Sequence, residues 1–82
     1  MEETKYYQCY GTCSQFIAVT VNDDTIENVI FHGGCHGNTQ GVAALVKGMK
    51  VKEAIERLQG IDCGGRGTSC PDQLSKALEQ FL

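Results

Sequence analysis

The chain has no apolar run long enough to cross a bilayer, and its opening Met1-Glu2-Glu3-Thr4-Lys5 leads into no apolar core of a secretory signal. A membrane protein is therefore not expected, and the protein is read as cytoplasmic. Only seven lysines and arginines are present, none of them clustered, against a net charge of -3. A phosphate backbone would find no footprint, so nucleic acid is not expected as a direct partner. Linkers, repeats and low-complexity stretches are also missing, and residues 1–82 read as a single domain. A chain this short buries only roughly 60% of its unfolded surface, which leaves a hydrophobic core marginal without a further staple.

What is present in quantity is cysteine, at five positions in 82. In a reducing compartment such a set points to metal or redox chemistry rather than to disulfides, and the odd count also argues against full pairing. Four of the five lie among residues that bend or open the backbone: Gly11-Thr12-Cys13-Ser14, Gly33-Gly34-Cys35-His36-Gly37-Asn38, Asp62-Cys63-Gly64-Gly65 and Thr68-Ser69-Cys70-Pro71-Asp72. A thiol that merely packs needs no such loop, because it behaves as a small hydrophobe.

The element pattern places these loops. Phe16-Ile17-Ala18-Val19-Thr20-Val21 and Ile26-Glu27-Asn28-Val29-Ile30-Phe31 read as strands joined by the turn Asn22-Asp23-Asp24-Thr25. Tyr6, Tyr7 and Tyr10 suggest a third strand at the hairpin's edge. Helical spacing follows: Val42, Leu45 and Val46 with Asn38 or Thr39 as N-cap and Gly48 as stop; Val51, Ala54, Ile55 and Leu58 ending at Gly60; and Leu74, Ala77, Leu78 and Phe81. The last helix is entered through Cys70-Pro71-Asp72, where proline suits the first helical position and Asp72 complements the dipole. The expected fold is α+β, a small antiparallel sheet of two or three strands followed by three helices on one face.

Cys35 and Cys70 both fall near helix N-termini, which favour thiolate over thiol. Cys13 opens the hairpin, and six residues separate Cys63 from Cys70. No C-x-x-C pair of the zinc-ribbon kind occurs, so the spacing leaves three readings open: a shared metal site for Cys13, Cys35, Cys63 and Cys70, a redox or sulfur-carrying thiol, and cysteines that only pack. Cys9 reads as a free thiol within a strand, His36 as a neighbour of Cys35 that points elsewhere, and His32 as structural. The Gly33-Gly34 turn lacks the G-x-G-x-x-G spacing and the lysine of a phosphate loop; its glycines, like Gly64-Gly65-Arg66-Gly67, fold amides around a sulfur. Thr68 and Ser69 read as capping residues.

Thr68-Ser69-Cys70-Pro71-Asp72, with Gly33-Gly34-Cys35, Gly37-Asn38 and Cys13 upstream, resembles the small stand-alone TSCPD-domain family over nearly the whole chain. A similar domain ends the adenosylcobalamin-dependent ribonucleotide reductases. The resemblance therefore implies a link to ribonucleoside-diphosphate reductase as a partner or nucleotide-binding regulator, since 82 residues are too few for the reductase's own barrel and cofactor sites. More distantly, the order of cysteine, hairpin, Gly-Cys, helix, Lys47-Gly48, Glu53-Ala54 and final cysteine is similar to the NifU-type iron-sulfur scaffolds. That likeness implies Cys13, Cys35 and Cys70 as ligands, and contact with iron-sulfur assembly proteins. Gln15 stands where the scaffold has aspartate and Ser69 where it has histidine, so Cys63 is the candidate fourth ligand. An all-thiolate set of this kind fits zinc or an iron-sulfur cluster.

Overall fold

The structure is a computed structural model that describes every residue except Cys13, Cys35 and Arg66, and for His36 describes the backbone alone. Three antiparallel strands come first, β1 (Glu2–Gln8), β2 (Ser14–Asn22) and β3 (Thr25–Gly33), in the order β1-β2-β3. Three helices follow, α1 (His36–Val46), α2 (Val51–Leu58) and α3 (Cys70–Glu79). This is the expected α+β arrangement, with the optional third strand present.

The β2–β3 hairpin forms where β-branched residues alternate with smaller or polar ones. Its two-residue turn is closed by Asp23, whose φ of 59° lies in the left-handed region that a short polar side chain tolerates. In register, Val21 faces Ile26, Val19 faces Val29 and Ile17 faces Phe31. These residues share the inner face, where Ile17, Val19 and Ile26 are wholly buried. One extra residue at Glu27 bulges β3 between the Thr20–Asn28 and Val21–Ile26 pairs, which keeps the apolar set on that face. α1 lies on β3, and α3 crosses β2 and β1, closing the core with Leu74, Ala77 and Leu78. α2 adds Val51, Ala54 and Ile55 and rests mainly on α3.

The hairpin turn and α2 are tied directly. The Ile26 and Val51 amides donate to the Met49 and Asp24 carbonyls, and Lys50 pairs with the Asp24 carboxylate at 3.0 Å. That lysine holds the Asp24 carboxyl below the usual carboxylate range.

Several boundaries differ from expectation. β1 begins at Glu2 and stops at Gln8, so Tyr10 and Cys9 lie beyond it. Its polar opening is tolerated because a fully paired edge strand needs backbone partners more than apolar side chains. α1 starts at His36, two to three residues before the expected cap. With Ser69 as N-cap of α3, Cys70 is the first helical residue and Pro71 the second, a turn position that still asks nothing of its absent N–H. Among the described residues, no helix is long and apolar enough to cross a membrane.

Candidate cysteine site

α3 begins under the end of the sheet from which the β1–β2 connection and the β3–α1 connection both depart. At that point the Ser14 Oγ lies 2.9 Å from the Cys70 Sγ, a hydrogen bond between residues 56 apart in sequence. Gly34 sits on the other side. A Cβ built on it would meet the Ser14 Oγ at 2.5 Å and the Cys70 Sγ at 3.5 Å, and its φ of +86° is one that glycine adopts freely. Both the space and the conformation therefore require glycine here. Cys13 and Cys35 themselves lie outside the described residues, but their sequence neighbours Ser14 and Gly34 close directly around Cys70.

Cys63 is exposed, and its amide donates to the Thr68 carbonyl at 3.0 Å, which closes the base of its loop two residues before Cys70. The loop is organised by Asp62, whose carboxylate accepts from the Gly65 amide at 2.7 Å and from the Gly67 amide. An aspartate opening a glycine-rich turn is the sequence signal for this loop.

The residues around Cys70 are held by a buried polar network. Ser69 caps α3 by accepting from the Asp72 amide at 3.1 Å. Thr68, expected to cap, instead donates its hydroxyl to the Asp72 carboxylate at 2.6 Å, and the Gly60 amide donates to the other oxygen at 2.7 Å. Burial pushes the Asp72 pKa up, but the hydrogen bonds from Thr68 and Gly60, with help from Lys76, outweigh it and leave the group below the usual carboxylate range. Gln73, fully buried, donates to the Thr68 hydroxyl at 2.8 Å and accepts from the Tyr10 amide at 3.1 Å. A glutamine in a helical pattern reads as surface, and no sequence signal marked this one. The network locks α3, the end of α2 and the β1–β2 connection into one frame, and the Cys70 sulfur, bonded to Ser14 instead, stands outside it.

Cys9 is half-buried against the core just past β1. Desolvation, and to a lesser degree the nearby Cys70, push its thiol up to about 11. His32 lies exposed, with its ring stacked on Phe16 at 4.1 Å between centroids, away from Cys70's side of the sheet. The His36 side chain lies outside the described residues, as does Arg66 of the glycine loop. Among the described residues, no three histidine, cysteine, aspartate or glutamate side chains form a group that could hold a metal.

A small α+β domain whose glycine-lined connections gather at a cysteine on a helix N-terminus is the class that fold and site define. The family model for the TSCPD domain matches residues 2–82, and the chain belongs to that family. No curated protein and no solved structure matches it.

Proposed function

We propose that the protein is a small metal-binding accessory module, working in a reducing, cytoplasmic setting, in which Cys13, Cys35, Cys63 and Cys70 hold zinc or an iron-sulfur cluster. The observation that carries this is the closure of Ser14 and Gly34 on the Cys70 sulfur, with a glycine where any side chain would fill the space. The donor chemistry fits. Among the described residues the nearby carboxylates are committed elsewhere, Asp72 to Thr68 and Gly60, and Asp62 to its own loop amides, which favours thiols as the ligands. A bound metal or cluster would supply the cross-link that so small a core lacks; the chain's own part is to bring the four sulfurs together.

Two other roles are consistent with the same residues. As an iron-sulfur or sulfur-transfer scaffold, the chain would engage assembly proteins and use Cys70 or Cys35 to take up sulfur. As a regulatory partner of ribonucleotide reductase, it would act by contact, and the isolated chain is expected not to turn over a ribonucleotide.

Anaerobic purification, metal analysis and a visible absorption spectrum test the first reading. About one zinc per chain without colour, or iron and sulfide with a visible band, is expected. Cys70→Ser and Cys35→Ser should abolish the content and lower Tm sharply, while Cys9→Ser should keep it. Metal-free protein whose stability responds alike to all three substitutions would overturn the site.

A further inference from the structure

The helices cover one face of the sheet and leave the other open. An antiparallel sheet with a solvated face ordinarily places polar residues there. Here the middle row across the strands is Tyr6, Ala18 and Ile30, with Tyr6 66% and Ile30 47% exposed. In the next row Phe16 stacks on His32 and lies 6.4 Å from the Tyr6 ring. These two rows and the following one, Thr4, Thr20 and Asn28, contain no lysine, arginine, aspartate or glutamate, although the chain carries a net charge of -3.

We propose that this face is a homodimer interface, in which two copies meet sheet to sheet about a two-fold axis running along β2. An axis in that direction keeps the rows level and exchanges β1 with β3, so the contact is isologous. Tyr6 of each copy meets Ile30 of the other. Ala18 meets its own counterpart on the axis, and its small side chain lets the sheets reach the roughly 10 Å spacing of a packed pair. Phe16 meets Phe16, while Gln8 falls opposite His32 and Thr4 opposite Asn28, which pairs donors with acceptors at both ends.

Charge favours a second copy over other occupants. Two chains of like sign repel, and they meet at least cost where neither presents a fixed charge. A phosphate-bearing ligand, by contrast, finds no lysine or arginine in the three rows. The five residues of strand from Thr4 to Gln8, across three strands, give about 17 by 14 Å, or roughly 240 Å² of flat sheet per copy. That is less than half of the ~800 Å² per partner in a standard interface, so the dimer is expected to be weak and to dissociate on dilution. The proposal rests on the sheet face alone and stands or falls apart from the metal site.

Sedimentation of the untagged protein from about 10 µM to about 1 mM, the range of a weak interface, tests it. The mass is expected to rise with concentration from 8.9 kDa toward twice that value. Ile30→Glu and Tyr6→Lys, both at exposed positions, should preserve the far-ultraviolet circular dichroism and weaken association by about tenfold or more. The double variant should recover it, because the new ammonium of one copy faces the new carboxylate of the other; an axis across the strands would instead set ammonium against ammonium. A mass of 8.9 kDa at every concentration overturns the dimer. Association untouched by Ile30→Glu places it on another surface and overturns the interface, and failure of the double variant to recover overturns the axis along β2.

Discussion

The hydroxyl of Thr68 donates to the carboxylate of Asp72 at 2.6 Å, joining the first and last residues of the five-residue motif across the start of α3. The same carboxylate accepts from Gly60 at the end of α2, so one buried acid holds two helices and the loop between them. Its depressed pKa sets the direction of a pH effect: the stabilisation is complete above the unfolded value of about 3.9 and is lost as pH falls through the lower folded value. Thermal unfolding at pH 7 and again near pH 3 should show this loss in the wild type. Asp72→Asn should cost about 1 to 3 kcal/mol at neutral pH and flatten the acid limb; an acid limb as steep as that of the wild type would show that other carboxylates dominate.

Gly34 and Gly41 make opposite predictions for the same substitution. At Gly34 an added Cβ meets two heavy side-chain atoms at a positive φ, so Gly34→Ala should destabilise by about 1 to 3 kcal/mol and impair metal content. Gly41 is an exposed position of α1 with nothing within 4 Å of such a Cβ. Gly41→Ala should stabilise by about 0.5 to 1 kcal/mol, read as a rise in Tm, through helix propensity alone.

The free thiols should differ in reactivity. Cys63 is exposed, whereas Cys9 is half-buried with its thiol pushed up to about 11. In metal-free protein at pH 8, only about one Cys9 in a thousand would be thiolate, so iodoacetamide should label Cys63 well before Cys9 by peptide mass. Equal rates would place Cys9 in a more open setting than β1 and the core give it.

Much of this was legible where local chemistry and burial agree. The hairpin followed from β-branched runs around Asn22-Asp23-Asp24-Thr25, and α2 and α3 from apolar spacing that the core then uses, with Leu74, Ala77 and Leu78 wholly buried. β1 was only partly legible, because Glu2, Glu3 and Thr4 are held by pairing with β2 and carry no apolar period. At the site, the glycine-rich setting of the cysteines was plain, but the approach of Ser14 and Gly34 to Cys70 depends on contacts 36 or more residues apart, which spacing alone does not encode. Gln73 was invisible for a related reason: its buried amide is satisfied only after Tyr10 and Thr68 arrive.

The bond from the Tyr10 amide to Gln73, between residues 63 apart, has a consequence for how the molecule folds. The strand meander and the α2–α3 pair can form from near neighbours, whereas bringing α3 beneath β1 and β2 must close most of the chain into a loop, whose entropy opposes it until the network is complete. The docking of α3 is thus expected on the native side of the folding barrier. Gln73→Ala is therefore expected to quicken unfolding while leaving the refolding rate nearly unchanged, so that the cysteine connections come together last and come apart first.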